Sequence, residues 1–516
     1  MIKQNKLLVF SSVLTTVLLG LFSCNKIWNE HYDGSPEDLP GYNLGEYIDS
    51  RDDLNVFSQM LKISGFDSIL NASQTFTVWV PTDQALSGVD LDDLSGVDRV
   101  VRNHIARGNI STSGIHSSRV KMINGKNVYF ETGIDNGYLF GGKSIIEKNL
   151  LADNGQIHII NDYVPYVDNI LEYINLTSGF DSLSLYLKEQ DTLVFDPVRS
   201  IEVGIDSNRN VIYDSVFISS NVVLDRIGAL GNEDSLYTAI LPDNTAWTEA
   251  YGRAESYYRM FEDYGGSKRM QSLARLAVVK DMVFREQVED PGLFSVLEST
   301  GGNIFTSPST LFNIETQVEL SNGFIFSTSQ MPYSDTASWF KPIIVEAEDP
   351  EGRENSNNNI IRRTGLGADF FVSGDNYILV DPTSTSNSSK SHVRFQIPNT
   401  LSATYKIYCV FIPAIITDPD NLKPTKAYFR LSYMTSSGTI RAKIMNPVLE
   451  FTNPFAVTKM EVGEITFDYA NIIEDNYKDV TVRLQVLNDV TIEEENNGLY
   501  DRAMRIDYIL LEPVLQ

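Results

Sequence analysis

Cysteine is almost missing from this chain: Cys24 and Cys409 are the two it has in 516 residues. A disulfide scaffold cannot be built from so few thiols, so the fold has to rest on hydrophobic cores. Histidine is sparse as well, at positions 31, 104, 116, 158 and 392. No two of these have the His-x-x-x-His spacing of a metal pair. No Gly-x-Ser-x-Gly elbow occurs either, and no spacing among the acids singles out a glycosidase dyad. Basic residues are outnumbered 41 to 68, and the net charge of −27 argues against nucleic acid and against adsorption to anionic headgroups. Tryptophan stops at Trp339, after Trp28, Trp79 and Trp247. Beyond residue 23 no apolar run reaches about 18 residues, the length that crosses a bilayer as a helix. These absences predict a folded binding protein with no catalytic residues.

The N-terminus is where a long apolar run does occur. Lys3 and Lys6 precede Leu7 to Leu21, and the run closes on Leu21-Phe22-Ser23-Cys24. That is the build of an export signal, and its end resembles a bacterial lipoprotein cleavage box. The resemblance implies lipidation of Cys24 and a place on the outer membrane, at the cell surface. The alternative is a plain signal peptide with an incidental cysteine. Residues 1–23 are then the signal and 24–42, with Asp33-Gly-Ser-Pro-Glu-Asp38, a tether. Cys409 remains alone in Tyr405-Lys-Ile-Tyr-Cys-Val-Phe-Ile412. Strand alternation puts Ile407, Cys409 and Phe411 on one face, as a buried inert thiol requires.

What is present is a pair of segments that occurs twice in the same order. Thr77-Val-Trp-Val-Pro-Thr-Asp-Gln-Ala-Leu86 is followed by Asn154-Gly-Gln-Ile-His-Ile-Ile-Asn-Asp-Tyr-Val-Pro-Tyr166. Thr238-Ala-Ile-Leu-Pro-Asp-Asn-Thr-Ala-Trp247 is followed by Asn322-Gly-Phe-Ile-Phe-Ser-Thr-Ser-Gln-Met-Pro-Tyr333. Both copies read as a strand, a Pro turn and an Ala-led helix start, then Asn-Gly and Pro-Tyr, which implies a duplicated domain. These segments resemble the two signatures of fasciclin domains, and Asn103-His104-Ile105 is similar to the family's Tyr-His-type motif. The second copy has Ala277-Val278-Val279 there instead, and Ser327-Thr328 in a degenerate closing motif. The resemblance implies two α+β domains, 43–172 and a divergent 173–341. His104 and His158 are read as structural. Leu54-x-x-Phe57-x-x-x-Leu61 predicts a helix stopped by Gly65, and Glu249 to Phe261 and Arg269 to Phe284 a helical pair. Asp196 to Tyr213 reads as a turn-rich insert.

Residues 342–516 change character, with short apolar stretches separated by turn signals such as Ser373-Gly-Asp-Asn. This predicts an all-β sandwich. Glu346 and Glu348 lie two apart, on the same side of a strand, as hard oxygen ligands suited to Ca²⁺. The alternative is a pair of solvated edge acids. The opening Ile344-Val-Glu-Ala-Glu-Asp349 and the closing Arg505-Ile-Asp-Tyr-Ile-Leu-Leu511 resemble carbohydrate-binding modules of the galactose-binding-like type, which implies a jelly-roll. That resemblance implies a structural calcium held by Glu346, Glu348 and Asp507. Residues that would touch a glycan are not identifiable: Tyr377, Tyr428, Tyr433, Tyr469, Tyr477 and Tyr500 could stack on sugar or serve the core.

A Walker-like string, Gly137-Tyr-Leu-Phe-Gly-Gly-Lys143-Ser144, lacks the flanking strand and long helix that phosphate binding needs. A β-turn between two strands is the better reading. These resemblances together imply a lipid-anchored binding or adhesion protein, and similarity to lipoproteins of like build implies a role accessory to an outer-membrane glycan capture and uptake system. Its partners would be glycan and a TonB-dependent transporter with its surface lipoprotein, and not nucleic acid. The alternatives are a structural subunit packed on that transporter without binding ligand, and a glycan-processing enzyme.

Overall fold

All six residues of β1 (Phe76–Pro81) are buried, which requires cover on both faces of the sheet. Val78 and Val80 enter one core with helices α1 (Leu44–Asp49), α2 (Asn55–Ile63), α3 (Phe66–Leu70) and α4 (Leu94–Arg102). Trp79 points the other way, stacked on Phe140 at 4.2 Å. The computed structural model describes residues 41–134, 137–205, 211–354, 359–366, 371–382, 390–445, 447, 449–474 and 476–515. Cys24, the segment 1–23 and the tether before Gly41 lie outside the described residues.

The chain divides into two compact units, 1–169 with 232–234, and 170–231 with 235–516. The first holds a seven-stranded sheet. Its other strands are β2 (Ile105–Arg107), β3 (Ser117–Lys121), β4 (Asn127–Thr132), β5 (Tyr138–Phe140), β6 (Lys143–Ala152) and β7 (Gly155–Ile160), in the order β2-β1-β7-β6-β5-β4-β3. Only β1 and β7 run parallel, with Phe76 opposite Gly155. The Walker-like string is β5, a Gly141-Gly142 turn and β6, and Lys143 pairs with Asp162 at 2.6 Å. After Pro81 the expected helix start is a run of turns instead. The next helix, α4, waits for Asp93, whose side chain caps the Gly96 N–H.

The second unit repeats this frame. Helices α5 (Ile170–Leu176), α6 (Asp181–Glu189) and α7 (Leu224–Ile227) are interrupted by strands β8 (Asp191–Phe195), β9 (Ile201–Ile205), β10 (Val211–Asp214) and β11 (Phe217–Asn221). These pair as two-stranded ribbons, β8 with β11 and β9 with β10, so the insert is longer than the sequence suggested. Then come β12 (Tyr237–Pro242), α8 (Asn244–Tyr257), α9 (Gly266–Val279), β13 (Val283–Phe284), the small pair β14 (Leu297–Glu298) and β15 (Ile304–Phe305), β16 (Gln317–Leu320) and β17 (Gly323–Thr328). The sheet order is β13-β12-β17-β16, with β12 parallel to β17 and Tyr237 opposite Gly323. Helix α9 ends before the expected Phe284 because that residue belongs to β13.

The two frames agree bond by bond. The Asn154 and Asn322 side chains accept the N–H of Leu44 and Ile170 and donate to the carbonyls of Leu70 and Leu230. Thr77 Oγ1 donates to Gly108 O and accepts Ile110 N–H; Thr238 Oγ1 does the same with Glu286 and Val288. A Cβ on Gly155 or Gly323 would stand 2.0 or 1.7 Å from the carbonyl oxygen of Phe76 or Tyr237, so neither tolerates a side chain.

The C-terminal strands are β18 (Ile343–Glu346), β19 (Arg353–Glu354), β20 (Asn359–Thr364), β21 (Asn376–Asp381), β22 (His392–Gln396), β23 (Thr404–Phe411), β24 (Ala427–Met434), β25 (Ile440–Met445), β26 (Thr458–Thr466), β27 (Arg483–Asn488) and β28 (Met504–Pro513), with a short helix α10 (Ile492–Asn496). One sheet runs β20-β21-β28-β23-β26 with β18 also on β28, and the other β19-β22-β27-β24-β25. Alternating inward residues of both sheets, Ile378, Phe395, Cys409, Phe429, Leu484 and Ile506 among them, fill one core. That core also takes in Ala254 and Tyr258 of the α8 end, Leu273, Ala274 and Ala277 of α9, and Phe340. Arg269, 8% exposed, reaches across to Ile472 O at 2.8 Å and Glu474 at 3.0 Å, with the Tyr477 ring 3.9 Å from its guanidinium carbon.

Candidate functional site

Strand β28 is long enough to carry two partners end to end on one side. β18 pairs with its second half, Glu346 opposite Tyr508, and β21 with its first half, Ile378 opposite Ile506. Asp507 sits at the junction. On the other side Cys409 opposes Ile509 while Phe411 opposes Ile506, so β28 has one residue too many there. Such a bulge re-aims a side chain. Asp507 is wholly buried, and the Ser373 N–H donates to both its oxygens at 3.2 Å. Ser373 Oγ donates to Glu346 at 2.6 Å. Strand β18 ends at Glu346, so Glu348 lies in the following turn. A Cβ on Gly374, whose φ is +54°, would lie 3.3 Å from Glu348 Oε1.

The three carboxylates named from the sequence thus meet around one serine turn. Burial, with Glu346 and Glu348 beside it, pushes Asp507 up to about 7. Burial followed by Glu346 raises Glu348 also. Glu346 Oε2 and Glu348 Oε2 are buried without a hydrogen-bond partner. In donor type and in their unmet oxygens these residues fit a hard cation. In spacing they form no ready cage: among the described residues no group of three or more His, Cys, Asp or Glu is placed to hold a metal ion. A cleft of about 920 Å³ opens beside them, lined by Glu346, Glu348, Arg362, Gln396, Asn399 and Lys478 among others. Sequence reasoning missed Ser373 as the donor that gathers the acids. The bulge had a signal, since Ile506 and Ile509 are both core residues three apart in a strand where alternation demands two.

The histidines of the repeated motifs serve the fold. His104 is fully buried; its Nδ1 donates to Val100 O at 2.7 Å, and its Nε2 accepts Val164 N–H at 2.9 Å. Burial holds it down at about 4. His158 Nε2 donates to Ile110 O at 2.9 Å, while burial lowers it too. Cys409 lies in the core, where burial pushes the thiol up. Of the six tyrosines, Tyr377 is fully buried, Tyr477 lies under Arg269, and Lys426 covers Tyr500 at 4.5 Å. Among the described residues no helix is long and apolar enough to cross a membrane.

Residues 52–164 are a fasciclin domain. Among solved structures the chain is similar to a FAS1 domain pair from the insect cell adhesion molecule Fasciclin I, at 14% identity and a TM-score of 0.21, over 55% of this chain and 98% of that one. It is also similar to a CBM22-1 xylan-binding domain from Paenibacillus barcinonensis, at 9% identity and a TM-score of 0.22, over 34% and 95%. A C-terminal family 22 carbohydrate binding module from Clostridium thermocellum matches at 14% identity and a TM-score of 0.21, over 34% and 96%. No protein of curated function matches the chain.

Proposed function

We propose that this chain is a lipid-anchored, envelope-exposed binding and adhesion protein, accessory to an outer-membrane system that captures and imports glycan. The observation that carries the reading is the modular build. A fasciclin domain at 52–164 is followed by a second copy of its hydrogen-bonded frame and by a β-sandwich. The buried histidines are committed to that frame and the thiol to the sandwich core, which favours binding over catalysis. The anchor rests on Leu21-Phe22-Ser23-Cys24. Calcium belongs to the proposal as a stabiliser of the sandwich, held by Glu346, Glu348 and Asp507, where its charge would let all three remain ionised.

A second reading, a structural subunit that packs on a TonB-dependent transporter, is favoured by one observation. The ribbon of β8 and β11 exposes Leu193 (71%) and Phe217 (56%), and its neighbour β9 exposes Ile201 (66%). Apolar surface of this kind marks interaction sites. One experiment separates the two. Protein pulled down from detergent-solubilised envelopes is expected to bring a transporter and to be retained on immobilised glycan, and Cys24→Ala is expected to move it from the membrane to the soluble fraction. Transporter without glycan retention supports the structural subunit. Membrane retention of the variant would overturn the anchor.

A further inference from the structure

The outward face of the five-stranded sheet is built differently from the rest of this acidic chain. Register places Arg394, Gln485 and Arg430 directly opposite one another on β22, β27 and β24. The neighbouring rows are His392, Leu487 and Tyr428 on one side, and Gln396, Arg483 and Ser432 on the other. Residues opposite one another in a ladder share a face, and strands lie about 4.8 Å apart. Since Phe395, Leu484, Val486 and Phe429 point into the core, this row points out. Arg394 and Arg483 share one carboxylate, Glu354. Lys390 pairs with Asp489 and stands 4.7 Å over the Tyr428 ring. Arg430 is exposed and forms no ion pair among the described residues. In a chain with a net charge of −27, four cations thus meet two anions on one sheet face.

Gln485 supplies an independent observation. It is 8% exposed, and its Oε1 is buried with no donor to satisfy it. A buried acceptor flanked by arginines is unmet by the protein itself, and an anion cannot meet it. A hydroxyl can. The ligand that satisfies the row therefore carries a hydroxyl donor and a negative charge a few ångströms apart.

We propose that this face binds an acidic polysaccharide, its hexuronate carboxylate on Arg430 and a ring hydroxyl on Gln485 Oε1. The inference rests on the glycan-capture reading above and names the class of glycan. The test uses the full-length chain in detergent with two probes, polygalacturonate and the same polymer with its carboxyls methyl-esterified. Affinity electrophoresis is expected to show retardation by the acid form, binding roughly tenfold weaker or less to the ester, and a fall in affinity as salt rises from about 50 to 500 mM. Arg430→Ala, at an exposed and unpaired position, is expected to bring the acid form down roughly tenfold without moving the melting temperature. Gln485→Leu is expected to weaken both forms. Equal binding of acid and ester, or an unaltered Arg430→Ala, overturns the assignment. Retention of a neutral xylan with no retention of polygalacturonate overturns the acidic class alone. Retention of none of these polymers overturns the glycan-capture reading with it.

Discussion

His104 carries its proton on Nδ1 and donates it to a backbone carbonyl, so a second proton on Nε2 would displace the Val164 N–H and charge a fully buried site. Its value near 4, against 6.5 when free, fixes the sign of the effect. Because the unfolded chain binds the extra proton first, the stability this residue contributes is present above pH 6.5. It is lost as pH falls from there towards 4. The loss is on the order of 3 kcal/mol for a fully buried group. His158 adds in the same direction. Thermal melts between pH 7 and 4.5, followed through Trp79 fluorescence, are expected to show this acid lability. His104→Gln should be less stable at pH 7 and lose less on acidification. A melting temperature flat across that range would mean that His104 titrates in the fold as it does in water.

At the scale of elements, the parallel pairs β1–β7 and β12–β17 depend on the asparagine that precedes each glycine. Asn154→Ala and Asn322→Ala each strand a helix-start N–H and a buried carbonyl, and each is expected to cost about 2–4 kcal/mol. Urea titration of both variants checks the equivalence. One severe and one neutral result would mean that the two frames carry their loads differently. These strands were legible in the sequence because Pro81, Pro242 and the two Asn-Gly pairs have single physical reasons to be where they are. The helix after the first proline was not, since Asp83-Gln-Ala-Leu86 has the same local pattern as its counterpart Asn244-Thr-Ala-Trp247 and yet forms turns. The acids at 346, 348 and 507 could be named from the chain, but the junction on β28 that brings them together depends on pairing. The Arg394, Gln485 and Arg430 row was hidden for a stronger reason: it exists only once three strands distant in sequence are in register.

For the molecule as a whole, the decisive fact is that the second fasciclin-like copy and the sandwich share a core. A cation bound at the proposed site of Glu346, Glu348 and Asp507 would therefore stabilise everything from Ile170 onward, except the short segment 232–234, by mass action above its dissociation constant. Calorimetry of the full chain is expected to show two transitions. Millimolar Ca²⁺ should raise the one that Trp247 and Trp339 report, relative to EDTA, and leave the Trp79 transition in place. Glu348→Gln should blunt the response, because it removes a charge while nearly keeping the shape. Identical traces in EDTA and Ca²⁺ would leave these three as ordinary acids of the sandwich.

The glycines opposite Phe76 and Tyr237 carry a consequence for how such a chain can change over generations. Each copy keeps a strand pair that accepts no side chain at one point. The second has given its helix pair to the sandwich, with Arg269 as the rivet. A recombination event that lifted the second copy out would bare the Tyr405 ring by removing Phe340, which packs against it at 5.8 Å. The second copy and the sandwich have thus become a single heritable block.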